Sequence, residues 1–135
     1  ASGTIEIKDI VRQAGERAKV AVASRDRDVD PVGACIGLKG ARILAISKEL
    51  GGEKIDVVVW SPNPALYAKS ALSPARVEGV SVLSKTDKTL EARVTKDQLS
   101  LAIGKKGLNV KLASKLVDWK IAIKDVEEYP QRNVP

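Results

Sequence analysis

The feature that most limits what this chain can fold into is a stretch that occurs twice. Residues 35–46 read Cys-Ile-Gly-Leu-Lys-Gly-Ala-Arg-Ile-Leu-Ala-Ile, and residues 102–113 read Ala-Ile-Gly-Lys-Lys-Gly-Leu-Asn-Val-Lys-Leu-Ala. Each has an aliphatic residue, then Gly-x-x-Gly, then an apolar residue three positions on. One constant offset pairs Gly37 with Gly104, Gly40 with Gly107, Ile36 with Ile103, Ile43 with Val110, and Ser47-Lys48 with Ser114-Lys115. Such a repeat implies two copies of one domain, each built around a glycine loop between two helices. The 135 residues are enough for one medium domain or two small ones.

The flanking patterns give each copy the same frame. Thr4–Ile7 alternates polar and apolar residues; Ile10 and Val11 break the alternation, so the strand continues with a bulge or gives way to a helix. Gly15-Glu16-Arg17 turns, and Val20 and Val22 in Ala18–Ser24 sit at strand spacing, making a hairpin. Asp30-Pro31 is a helix start, Ile43, Leu44, Ile46 and Leu50 recur at helical spacing, and Gly51-Gly52 ends that helix. Lys54–Trp60 reads as a strand. Ser61-Pro62-Asn63-Pro64 separates the copies. The second copy then predicts a helix over Ala65–Leu72, strands at Arg76–Leu83 and Thr89–Val94, and a helix capped by Thr95 that runs to Ile103. A helix over Leu108–Val117 and a strand at Trp119–Ile123 complete it. The prediction is an α+β protein with domains at 1–62 and 63–125 and a tail at 126–135. Each domain is a three-stranded sheet covered on one face by helices, and packing between the two adds stability because neither is large.

Charge narrows the partner. The chain carries a net charge of +6, and Lys96–Lys120 holds six lysines against Asp97 and Asp118. That favours an anionic partner without identifying it. With no His and one Cys, Cys/His catalysis and the common zinc sites are excluded. Gly33-x-x-x-Gly37-x-x-Gly40 does not match the dinucleotide fingerprint. The expectation is a protein that is not an enzyme and needs no cofactor. Cys35 cannot form an internal disulfide and fits a reducing cytoplasm. No apolar run approaches the length of a membrane span, and no signal peptide is visible. With no Met anywhere, the sequence reads as a fragment or a processed product.

A Gly-x-x-Gly loop between helices has a specific use. Glycine permits positive φ and leaves the backbone bare. The next helix begins with unpaired N–H groups and the positive end of its dipole, so a phosphate can approach closely. The central pairs Leu38-Lys39 and Lys105-Lys106 point outward, and the apolar residues of the following helix leave Asn109, Lys111 and Lys115 facing solvent. Ile36, Ile43, Ile103 and Val110 form a shallow apolar floor, and strands near Ile55–Val59 and Lys120–Ile123 offer edge groups to bases. A basic clamp over an apolar floor suits an extended single strand. One such loop is usually just a turn; duplication, lysine in both loops and shared flanks favour the binding reading.

These stretches resemble the KH domain, an RNA-binding module, and the order α-β-β-α-α-β is similar to its prokaryotic (type II) topology. Val29-Asp30-Pro31-Val32-Gly33-Ala34-Cys35-Ile36-Gly37, Gly52-Glu53-Lys54-Ile55-Asp56-Val57-Val58, Ala71-Leu72-Ser73-Pro74-Ala75 and Asp97-Gln98-Leu99-Ser100-Leu101-Ala102-Ile103-Gly104-Lys105 resemble the tandem KH region of the NusA family of bacterial transcription factors. Trp119-Lys120-Ile121 continues a likeness that covers about residues 4–124. The resemblance implies a role in transcription elongation, termination and antitermination, binding nascent single-stranded RNA as one rigid unit. Other domains of the longer relatives would contact RNA polymerase. It places RNA contacts on Gly37–Gly40 and Gly104–Gly107, with Arg42 and Asn109 as further contacts. Lys106 departs from the acidic residue common at its position and adds positive charge. A monomer is expected. The alternative is a protein-interaction scaffold in the transcription complex, with RNA binding confined to the second copy; Leu38 in the first loop motivates it. Trp60 and Trp119 stand at non-equivalent positions and are expected to pack in the core or between units.

Overall fold

The computed structural model describes residues 5–24 and 54–126. Strands β1 (Ile5–Gln13) and β2 (Arg17–Ser24) form an antiparallel hairpin whose register shifts between Ile7 and Asp9, the bulge that Ile10-Val11 foreshadowed. Strand β3 (Lys54–Val59) pairs with β2 in parallel, completing the sheet β1-β2-β3. Helix α1 (Pro64–Ala71) follows. Asn63 caps it, its Oδ1 accepting from Ala65 N at 2.9 Å and Leu66 N at 3.4 Å, and Pro64 occupies the first turn, where a missing N–H costs nothing. Strands β4 (Gly79–Ser84) and β5 (Thr89–Thr95) are antiparallel. After helices α2 (Leu99–Ile103) and α3 (Leu108–Val117), strand β6 (Lys120–Val126) joins β5 in parallel, in the order β4-β5-β6. The predicted α-β-β-α-α-β order holds in the second unit, and both sheets have three strands arranged alike. The expected helix start at Asp30-Pro31, the first glycine loop with Ile36, Gly37, Leu38, Lys39, Gly40, Arg42 and Ile43, the helix ending at Gly51-Gly52, and Cys35 all lie outside the described residues.

Several boundaries differ from the sequence reading. The strand expected from Arg76 begins at Gly79, because Val77 turns into the core and Arg76 N donates to Gln98 Oε1 at 2.8 Å. The helix expected from Thr95 is a single 3-10 turn, Lys96–Gln98, followed by the short α2. Thr95 does not cap it: its hydroxyl donates to the Asp97 carboxylate, and that bond, with a second from Gln98, holds Asp97 below the usual carboxylate range. Strand β6 begins after Trp119 and runs to Val126, the first residue assigned to the tail.

The core explains why the two units are one body. Leu90, Ala92 and Val94 of β5 pack under Ala68, Ala71, Ala102, Ala113 and Leu116 from the helices. The same cluster includes Ala21 of β2 and Val58 of β3, so one face of the first sheet rests on the second unit's helices. Helix α3 packs on β1 and β2 as well as on β6, and α1 packs on β3 as well as on β4 and β5. Val20 and Val22 lie on the opposite face of β2 with Ile55 and Val57. Trp60 and Trp119 are half-buried against the main cluster, and Trp60 meets Tyr67 edge to face at 6.4 Å, with Lys8 Nζ 4.5 Å from a Trp60 ring centroid. The Tyr67 hydroxyl is buried without a hydrogen-bond partner among the described residues; burial first, and then Asp9, pushes its pKa up to about 12.

Candidate nucleic-acid interface

The second glycine loop is a tight turn between α2 and α3, and its two glycines do different things. Gly104 has φ 82° and ψ 166°, a conformation open essentially to glycine alone. A Cβ there would sit 2.7 Å from both Cβ and the backbone N of Asn109, so the chain must pass bare over the start of α3. Gly107 lies in the left-handed region (φ 72°, ψ 13°), but a Cβ there would meet nothing within 4 Å. The first glycine serves packing; the second keeps open space beside the loop. Gly107 N donates to Gly104 O at 3.0 Å, closing the turn.

Between them Lys105 and Lys106 are exposed, and Lys106 itself is held at φ 59°, a left-handed conformation that side-chain-bearing residues seldom adopt. Its ammonium therefore projects from a turn fixed by the backbone. Ile103 is 37% exposed at the rim, while Val110 is half-buried and packs on the main cluster. Lys111 and Lys115 face solvent one and two turns along α3. They line an open groove of about 820 Å³ with Lys88, Lys120, Trp119 and Ile121. The outer edge of β6 is unpaired within its sheet. The structure thus gathers Ile103, Gly104, Lys105, Lys106, Gly107 and Lys111 along one end and one flank of α3.

Asn109 does not belong to that exposed set. The expectation that it faces solvent is wrong: it is 1% exposed, and its side chain is committed within the protein. Its Nδ2 donates to Leu72 O and Ala102 O, both at 3.0 Å, and its Oδ1 accepts from Arg17 Nη1 at 3.0 Å. The reason is position. The residue five beyond Gly104 falls on the side of α3 turned toward the first sheet.

Arg17 opens a buried polar cluster that the sequence reading missed. The same Nη1 donates to Asp56 Oδ2 at 3.0 Å, and Lys19 Nζ donates to Asp56 Oδ2 and to Ser73 O, both at 2.8 Å. Lys19 is wholly buried. Burial lowers its pKa, a shift that the neighbouring Asp56 opposes. A signal was available: Lys19 and Asp56 lie opposite each other in the parallel register, and Ala21, on the same face two residues on, leaves room for helices. Beside this cluster, a cleft of about 240 Å³ lies between the first unit's turn at Gly15-Glu16, with Lys54, and the second unit's Gly104 and Lys105. Among the described residues no cluster of side chains fit to hold a metal ion occurs, and no helix is long and apolar enough to cross a membrane.

Comparison with known proteins agrees with a fold of two tandem units. The family described as NusA-like first KH domain matches residues 1–60, and that described as NusA-like second KH domain matches residues 64–131. The chain is 51% identical over 126 residues to the transcription termination/antitermination protein NusA of Halalkalibacterium halodurans, covering 93% of this chain and 33% of that protein. It is 51% identical over 127 residues to the protein of the same name from Thermus thermophilus, covering 94% of this chain and 33% of that one. The chain therefore spans about a third of the length of these curated relatives. Among solved structures, the crystal structure of APE1850 is similar with a TM-score of 0.54 and 25% identity, over 81% of this chain and 79% of that one.

Proposed function

The chain belongs to the NusA-like KH family, and from that premise we propose that it is the single-stranded RNA-binding part of a bacterial transcription elongation, termination and antitermination factor. It holds the backbone of nascent RNA with two glycine loops and carries out no catalysis. The observation that carries this reading is the turn Gly104–Gly107. A fixed backbone, open space at Gly107 and two exposed ammonium groups meet there at the start of a ten-residue helix. A phosphate can approach the bare chain while Lys105 and Lys106 neutralise it. Ile103 supplies apolar surface for a base, and Lys111 extends the positive track. Asn109 is left out of the direct contacts. The first loop, Gly37–Gly40 with Ile36, Leu38, Lys39, Arg42 and Ile43, is proposed to act likewise on its repeat equivalence alone. Two KH loops in one body would hold more than the four nucleotides of a single loop. Contact with RNA polymerase would fall to parts of the longer relatives that this chain does not span, and the protein would act in the cytoplasm as a monomer.

Anisotropy titration of a labelled A/U-containing single strand at two salt concentrations tests the reading. Replacing Lys105 and Lys106 by Asp should weaken binding and, by removing two phosphate contacts, lower the salt slope by about 1.4. Adding Leu38→Asp and Lys39→Asp should weaken it further. Unchanged binding by the variant carrying all four substitutions would overturn the proposal. If Lys39 proves neutral while Lys105 and Lys106 matter, the first unit is a scaffold.

A further inference from the structure

We propose that Arg17, on the first unit's sheet, is a positioning residue for the second unit's glycine loop, acting through Asn109 on the geometry of Gly104–Gly107. The link is physical at each step. Arg17 Nη1 has two hydrogens and directs one to Asp56 and one to Asn109, each at 3.0 Å. Asn109 in turn holds the entry to the loop. Its Nδ2 holds the carbonyl of Ala102, two residues before Gly104, and its own backbone N lies under Gly104, where an added Cβ would stand 2.7 Å away. Its second Nδ2 hydrogen binds Leu72 O at the end of α1. With both amide hydrogens aimed at carbonyls, the Asn109 oxygen has one orientation, toward Arg17.

Arg17 is therefore the point at which the first sheet meets the turn that presents Lys105 and Lys106. Its place is secured from behind, since Asp56 is also held by the fully buried Lys19, whose Nζ reaches Ser73 O. A loop clamped in this way gives up less freedom when a ligand binds, and preorganisation raises affinity without adding a contact. The functional half of the proposal rests on the RNA reading above; the geometric half does not.

The test uses Arg17→Met, which keeps an apolar stem and leaves Lys19 and Asp56 as a balanced pair. Arg17→Lys serves as a second variant should the first not fold. In the RNA-free protein, the Gly104, Lys105, Lys106 and Gly107 amide resonances should move relative to wild type. RNA affinity should fall roughly fivefold, within the range of coupled neighbours, and the loss should vanish in a Lys105→Ala/Lys106→Ala background. Loop amides that stay in place while the melting temperature drops would reduce Arg17 to a structural brace and overturn the proposal. An equal fold loss in both backgrounds would mean that Arg17 touches RNA itself, which also overturns it. If Lys105→Ala/Lys106→Ala alone leaves affinity unchanged, the RNA reading of this loop fails, and the amide shifts decide the geometric claim by themselves.

Discussion

Alanine at the two glycines of the loop should have unequal effects, and the difference can be worked from their surroundings. At Gly104 the backbone lies in a region closed to side chains, which costs on the order of 1–3 kcal/mol. The new Cβ would also press on Asn109 at 2.7 Å, against backbone N as well as Cβ, so relief requires moving the start of α3. Overpacking of that kind adds about 1–3 kcal/mol. The lower entropy of the unfolded alanine chain offsets about 0.4–1 kcal/mol, so Gly104→Ala should lose about 3 kcal/mol of stability. At Gly107 only the left-handed backbone is penalised, by about 1–2 kcal/mol, with nothing for the Cβ to strike. The lower entropy of the unfolded alanine chain returns about 0.4–1 kcal/mol of this, for a net loss near 1 kcal/mol. Urea unfolding at constant slope measures both; with a slope of about 2 kcal/mol per molar, the midpoints should fall by about 1.5 M and 0.5 M respectively. RNA affinity, measured where both variants are folded, should nevertheless drop for Gly107→Ala, whose methyl fills the space left for a phosphate. Equal midpoint shifts, or a larger one at Gly107, would refute the division of labour between the glycines.

Three further outcomes follow from the buried polar groups. Asn109→Asp should keep the Arg17 contact but set a carboxylate against the Leu72 and Ala102 carbonyls, lowering stability by about 3 kcal/mol in the same urea assay. Tyr67→Phe removes a hydroxyl without a partner among the described residues and should raise stability by about 1 kcal/mol, seen as a higher melting temperature; a clear loss would show the hydroxyl to be satisfied. Because burial lowers the Lys19 pKa below its ordinary 10.5, the unfolded chain binds more protons between the folded value and 10.5. Stability from this group thus rises with pH across that window, and below it the burial cost is felt in full. Wild type should accordingly gain on Lys19→Met as pH is raised toward 10.5; a difference that is flat or falls would count against the assignment.

Much of the second unit was legible in the sequence because its signals are local. The apolar spacing of Leu108, Leu112, Ala113 and Leu116 defines α3 to the residue, and α1, expected over Ala65–Leu72, lies one residue earlier at Pro64–Ala71. The loop itself was readable from two glycines and two lysines. What escaped depends on contacts between units. Asn109 lies between apolar neighbours on a helix, and nothing in that pattern says that an arginine 92 positions earlier will meet its amide. Lys19 occupies a polar position in an alternating strand, yet β2 is buried on both faces, with Val20 and Val22 on one side and Lys19 and Ala21 on the other. Thr95 had the chemistry of a cap, but its hydroxyl donates to the Asp97 carboxylate and its oxygen accepts from no backbone N–H of the turn.

The helices Pro64–Ala71 and Leu108–Val117 are shared property, serving the β1-β2-β3 sheet as well as their own. Severing the chain at Ser61-Pro62 would strip alanines bare on one piece and strand a lysine–aspartate pair at the surface of the other. Although the repeat advertises two interchangeable modules, they should melt together in one transition, and transplanting either into a new host would require redesigning the face it now keeps dry.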